Sequence, residues 1–185
     1  MAIKLSPRTL IVLVAVVVIA LVFVGWIIVA YNGLVAKQQT AAAQWAQVEN
    51  VFQRKIDLIP SLVATVTQYQ QFERSTLENI TAFRSQWQNA SSLQQRVNIS
   101  NTLNAQLYEI QLTYEDYPEL QSISAVVQLM DELAGSENRI TVERARYNDA
   151  VRAYNTQILS FPDLIIAGGF GFGELEYFNP LPGGP

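Results

Sequence analysis

The chain has 185 residues, half of them hydrophobic, with 12 basic and 16 acidic side chains and a net charge of −4. That balance excludes the usual nucleic-acid binder, which carries a basic surface. The chain has no cysteine and no histidine. This excludes disulfide frameworks and thiol chemistry, and it removes the commonest general base and the commonest transition-metal ligand.

The first element is an uncharged apolar run, Leu10 through Ala30, behind the basic leader Met1–Arg8. A helix of this length rises about 30 Å, the thickness of a bilayer's hydrocarbon core. The run is too long for a cleaved secretory signal, and it ends in Trp26, Ile27, Ile28 and Val29 instead of a small-residue cleavage site. Trp26 and Tyr31 suit the membrane interface. The expectation is a single-pass cell-membrane protein: leader 1–9, transmembrane helix 10–31, helical domain 32–161 and an apolar, then Pro/Gly-rich, tail 162–185. Lys4 and Arg8 precede the run, and the first positive charge after it is Lys37. The positive-inside rule favours a cytoplasmic amino terminus and an external domain, by a small margin that leaves the opposite orientation open.

Ala, Gln, Leu, Glu and Arg are abundant in the chain beyond the anchor, and apolar positions recur there at helical spacing. Helix A continues from the anchor along Leu34, Ala41, Trp45, Val48 and Phe52 and ends near Ile56. Asp57 is placed to cap helix B, with Pro60 in its first turn. Helix B carries Ile59, Leu62, Val66, Tyr69, Thr76, Ile80, Phe83 and Trp87, and Asn89–Ser92 breaks it. Ser91 or Ser92 caps helix C, whose stripe is Leu93, Val97, Ser100, Leu103, Leu107, Ile110 and Tyr114. Asp116-Tyr117-Pro118-Glu119 is a stop and a restart, with Pro118 at a first helical position. Helix D carries Ile123, Val126, Met130, Leu133, Ile140, Tyr147, Val151, Tyr154 and Ile158. It runs to Ser160 or so, about 42 residues, unless Gly135-Ser136 bends it, and Phe161-Pro162 ends it. The fold class this predicts is all-α: one transmembrane helix continuing into an antiparallel four-helix bundle of long helices, crossing at shallow, coiled-coil-like angles.

An up-down order brings the end of helix D back to the bilayer. There Leu164, Ile165, Ile166, Phe170 and Phe172 form an apolar stretch too short to span. It is a candidate interfacial segment or contact between subunits, or it packs on the foot of its own bundle. The glycines 168, 169, 171 and 173 argue for a loop or a close backbone approach there instead of a stable helix.

Three charges fall on the apolar stripes: Glu73, Glu137 and Arg144. Inward carboxylates in a bundle raise a di-metal site, but that site needs Glu-x-x-His pairs this chain cannot supply. An all-oxygen Ca²⁺ or Mg²⁺ site would need more ligands than converge here. The simpler reading is a buried ion pair of Glu73 or Glu137 with Arg144. No cofactor and no catalytic residue is expected, so the chain is not read as an enzyme. Asn79, Asn89 and Asn98 begin N-x-S/T triplets, candidate glycosylation sites if the domain is external in a glycosylating host. Tyr147-Asn148 and Tyr154-Asn155 repeat one heptad apart. Each places a tyrosine inward beside an asparagine able to bond a neighbouring helix or subunit.

These residues also carry a resemblance. Tyr31-Asn32-Gly33-Leu34, Trp45, the run Arg54 to Val63, Tyr69, Glu73, Glu115 to Leu120, Glu137 to Ile140, Ala145 to Asn148, Tyr154-Asn155, Phe161-Pro162, Phe170-Gly171-Phe172 and Tyr177-Phe178 succeed one another as in a LemA family protein. The chain departs from the family pattern at Lys55-Ile56 and at Gln121. The resemblance implies one amino-terminal transmembrane helix and a helical-bundle domain. A family member takes part in building magnetosome membranes, which implies membrane organisation in place of catalysis. The family is described with its domain in the cytoplasm, opposite to the orientation the charges favour.

The expected function is a membrane-anchored scaffold that self-associates at the membrane surface. Its partners are the lipid bilayer and further copies of itself. The alternative is a tethered binding or adaptor module for an envelope protein such as a membrane protease, without self-assembly.

Overall fold

The computed structural model describes residues 6–67, 82–83, 85–116 and 123–178. Among them the chain is helical and contains no strand. Four helices are α1 (Pro7–Thr67), α2 (Leu93–Asp116), α3 (Ser124–Leu159) and α4 (Asp163–Phe170), and residues 85–89 are also helical.

Helix α1 starts where the sequence supplies a cap. The Ser6 hydroxyl accepts the Thr9 backbone N–H at 3.3 Å, and Pro7 occupies the first helical position, where its missing N–H costs nothing. The helix carries one stretch long and apolar enough to cross a membrane, and residues 6–25 are exposed along it.

The expected end of helix A near Ile56 does not occur. Helix α1 runs through Pro60 to Thr67, 61 residues in all. An interior proline costs about 3 kcal/mol. Ile56 and Ile59, on either side of the expected break, are each 1% exposed and share a core with Phe52. Burying two isoleucines in the turn that the proline disrupts contributes about 3–6 kcal/mol, enough to offset that cost. Pro60 lies on the exposed face. Asp57, placed to cap helix B, lies inside α1 instead; its carboxylate accepts the Gln53 side-chain amide at 3.0 Å, one turn back.

The break before helix C is where the sequence puts it. Residues 90–92 are not helical, and the Ser92 hydroxyl accepts the Gln95 N–H at 3.2 Å. The Gln95 side chain accepts the Ser91 N–H at 2.8 Å in return. Helix α2 reaches Asp116; Tyr117-Pro118-Glu119, where the stop and restart are expected, lie outside the described residues. Helix α3 passes Gly135-Ser136 unbroken for 36 residues, with Ser136 donating to the Glu132 carbonyl at 2.7 Å. It ends just before Phe161-Pro162.

The described chain forms two compact units, one of residues up to Ala41 with Val151–Leu175, the other of Ala42–Ala150 with the residues from Glu176 on. In the second unit Phe52, Ile56 and Ile59 of α1 meet Phe83, Trp87, Leu103 of α2, and Leu133 and Ile140 of α3. The Phe52 and Trp87 rings stack 4.1 Å apart. Ties from Glu49 to Arg96 and from Lys55 to Asn104 advance together, so α1 and α2 run the same way. Ties from Ser100 to Arg144 and from Asn104 to Glu137 run oppositely, so α3 is antiparallel to both.

In the first unit, Ala30 and Leu34 of α1 and Tyr154 and Ile158 of α3 pack with Ile166 and Ala167 of α4. The Lys37 ammonium donates to the Ala153 carbonyl at 3.3 Å, a further tie between α1 and α3. The glycines do not make this segment a loop. Gly168 and Gly169 lie within α4, and a Cβ at either would meet nothing within 4 Å, so no close approach demands glycine there. Only Gly171 uses its freedom: it sits at φ 76° as the left-handed C-cap, its N–H returning to the Ala167 carbonyl. Beyond it, residues 172–178 form an irregular strap.

Candidate functional site

The polar centre of the second unit is a closed triangle of three helices. Lys55 of α1 donates to the Asn104 side-chain carbonyl at 2.7 Å and to the Glu137 carboxylate. The Asn104 amide donates to the other Glu137 oxygen at 3.1 Å. Lys55 is 3% exposed, whereas the Glu137 side chain keeps 39% of its surface. Burial lowers the Lys55 pKa from 10.5, and Glu137 opposes that shift through its hydrogen bond and its charge.

The expected pairing of Glu137 with Arg144 is therefore corrected. Glu137 is paired, but with Lys55. Arg144 donates to the buried Ser100 hydroxyl at 2.5 Å and lies over the Phe178 ring, 4.4 Å from its centroid. Burial lowers its pKa, with Glu137 acting the other way from a distance. Glu73 lies outside the described residues. Sequence reasoning misses Lys55, although its spacing gives it away, three residues past Phe52 and four before Ile59. A long aliphatic stem lets a lysine occupy a core stripe when its ammonium finds partners. Ser100 is buried, as its place on the helix C stripe predicts; that it meets a guanidinium is not legible in the stripe.

Beside the triangle a cleft of about 430 Å³ opens between α2 and α3, with Lys55, Asn104 and Glu137 at its base and Leu107, Tyr108 and Met130 among its walls. Glu115 and Asp131 join Glu137 in giving it an acidic lining. Among the described residues, no group of three or more acidic side chains is placed to hold a metal ion. A second opening, of about 280 Å³, lies at Trp45, Ser92, Arg96 and Tyr147. There the Arg96 guanidinium is 5.7 Å from the Trp45 ring and 5.8 Å from that of Trp87, and it pairs with Glu49.

The paired asparagines both bond a segment of their own chain. Both clasp the strap. In the first unit Asn155 donates to the Leu175 carbonyl at 2.8 Å and accepts the Leu175 N–H at 2.9 Å. In the second, Asn148 does the same to Phe178, at 3.0 Å and 2.8 Å. Tyr147 adds a bond from its hydroxyl to the Glu176 carbonyl at 2.9 Å. A primary amide is the one side chain that copies a peptide edge, one donor beside one acceptor. Seven helical residues rise about 10.5 Å, and three near-extended residues cover about 10 Å. One heptad on α3 therefore matches three residues of strap. That explains the repeat, but a repeat on a helix does not say which segment it will bind.

The apolar candidates divide by face. Ile166 is buried and Phe172 half-buried, while Leu164, Ile165 and Phe170 are exposed. Phe170 and Phe172 both meet the Tyr31 ring, at 5.0 and 5.5 Å. Of the N-x-S/T triplets, Asn79 lies outside the described residues. Asn89 is exposed and donates to the Ser85 carbonyl. Asn98 is exposed on α2, but its triplet ends in Ser100, which is fully buried on Arg144.

The LemA family model matches residues 44–182. Two relatives, the magnetosome proteins MamQ 1 and MamQ 2 of Paramagnetospirillum magneticum, are each 26% identical over 189 residues, covering 88% of this chain and 69% of their own length.

Proposed function

The chain belongs to the LemA family, and from that premise we propose that it is a membrane-anchored, non-catalytic scaffold whose copies associate side by side at the membrane surface and organise or shape the membrane. The observation that carries this reading is the match along 88% of the chain to two proteins named as magnetosome proteins. The apolar first part of α1 supplies the anchor. Helices α1 and α2 running one way and α3 the other support completion of an antiparallel four-helix bundle, a rigid unit suited to lateral packing.

Mass photometry and crosslinking of detergent-extracted protein test the association. Particles of several subunits are expected; a strict monomer at high concentration overturns the reading. A one-to-one complex with another envelope protein, without homo-oligomers, is the outcome for an adaptor, and the open cleft between α2 and α3 favours that as the second reading.

The same proposal places the amino terminus in the cytoplasm and the helical domain outside, on the charges of Lys4 and Arg8. The chain has no cysteine, so one introduced at exposed Asn98 reports cleanly. Labelling by a membrane-impermeant maleimide in intact cells is expected; labelling only after lysis reverses the orientation.

A further inference from the structure

We propose that α4 is a second membrane contact: an interfacial helix whose Leu164, Ile165 and Phe170 enter the lipid at the depth of the last turns of the transmembrane span. The proposal rests on α1 crossing the bilayer and not on self-association.

Depth is set by packing within the first unit. The apolar run ends at Ala30, which shares a core cluster with Leu34, Ile166 and Ala167, and its closing residues Trp26 and Ile27 pack against that cluster. A helix held at that level lies at the boundary between hydrocarbon and headgroups. The face of α4 turned away from this contact is apolar and open: Leu164 is 48% exposed, Ile165 61% and Phe170 58%. Phe170 of this patch meets Tyr31, which directly follows the exposed apolar run of α1, the stretch long enough to cross a membrane. Tyr31, in ring contact with Phe170 and Phe172, and Trp26, packed against the same cluster as α4, are aromatic residues suited to a membrane interface.

Charge and backbone satisfy the same requirement. No lysine or arginine occurs beyond Arg152, and residues 164–173 carry no charge at all. Asp163, at the start of α4, is occupied by the Gln157 amide at 2.7 Å. Lipid offers no hydrogen bonds, so the free backbone groups at helix ends must be met within the protein. At the first turn the Leu164 N–H reaches the Ser160 carbonyl at 2.8 Å and the Ile165 N–H the Pro162 carbonyl at 3.1 Å. At the last turn Gly171 and Phe172 both donate to the Ala167 carbonyl. An apolar face, ends partly closed by the protein and no basic residue describe a helix that enters lipid by apolar burial and not by attraction to anionic headgroups.

Single cysteines at Ile165, Phe170, Val18 and Thr141 of the full-length chain, labelled with a small fluorophore and reconstituted into phosphatidylcholine vesicles, test this with brominated lipids. Labels at Ile165 and Phe170 are expected to be quenched several-fold more than at water-exposed Thr141, best by bromines near the headgroup, and Val18 best by deep ones. Molar salt should leave the quenching at Ile165 and Phe170 unchanged. The proposal is overturned if Ile165 and Phe170 behave like Thr141 while Val18 is quenched. It is equally overturned if they are shielded from lipid and crosslink between copies, the sign of a second protomer on that face. Loss of quenching at Val18 would remove the transmembrane premise itself, and the arms separate these failures.

Discussion

Replacing Phe178 with alanine is expected to cost about 3–5 kcal/mol of stability and to free the strap from the second unit. The side chain is 2% exposed, is stacked on Trp45 at 6.1 Å and is covered by the Arg144 guanidinium at 4.4 Å. Truncation opens a cavity and strips Arg144 of the surface it lies on, leaving Ser100 as its hydrogen-bond acceptor. The backbone of Phe178 is held separately by Asn148, so Asn148→Ala removes the clasp and keeps the ring. That change leaves a peptide N–H and carbonyl short of partners and should cost about 1–3 kcal/mol. Because both act through one strap, the double variant should lose less than the sum. Thermal unfolding in detergent gives the ranking, and limited proteolysis near residues 176–178 reads release of the strap. If Phe178→Ala unfolds within about 1 kcal/mol of wild type, the ring does not anchor the strap. Selective proteolysis of Asn148→Ala, with Phe178→Ala resistant, would give the anchoring role to the amide alone.

The helical skeleton is legible in the sequence because burial on one face of a helix imposes its period on the residues. The start of α2 after Ser92 and the end of α3 before Phe161-Pro162 rest on local chemistry, a hydroxyl cap and a proline. Where tertiary packing opposes local preference, packing prevails. Pro60 reads as a helix start and is a helix interior, since Ile56 and Ile59 are both core. Gly168 and Gly169 read as a loop and lie in a helix whose other face has Ile166 and Ala167 to bury. The polar centre is legible only in part. Glu137 and Arg144 stand out as charges on apolar stripes, but a stripe gives a residue's face and not its partner. Whether Glu137 meets Lys55 or Arg144 depends on the axial register of three helices, which no single stripe records. The asparagine repeat is plain in the sequence, yet its partner is the strap, a segment without periodicity of its own.

Glu137→Gln is expected to destabilise the protein by about 2–3 kcal/mol, and Lys55→Met by less than about 1 kcal/mol, although both break the same ion pair. The asymmetry comes from burial. Removing the carboxylate leaves the Lys55 ammonium, 3% exposed, with neutral partners only. Breaking a fully buried pair costs about 3–5 kcal/mol, and the 39% exposure of Glu137 reduces that here. Removing the lysine leaves a carboxylate that still reaches water and still accepts Asn104, while methionine fills the stem's volume. The double variant should therefore lie close to Lys55→Met. The pH dependence has a definite sign. A lysine whose pKa is lower folded than unfolded binds fewer protons when folded, so stability rises with pH from its folded pKa up to 10.5. Glu137 opposes the lowering, so Glu137→Gln should extend the rise to lower pH, and Lys55→Met should abolish it. Burial raises the pKa of Tyr147 and Tyr154 above 10.0, and their ionisation removes stability at higher pH, so the comparison belongs below pH 10. Unfolding midpoints for the three variants across neutral to mildly alkaline pH decide it. Equal losses in Glu137→Gln and Lys55→Met, with parallel pH profiles, would mean that water reaches the ammonium and that the triangle fixes helix register without a buried charge.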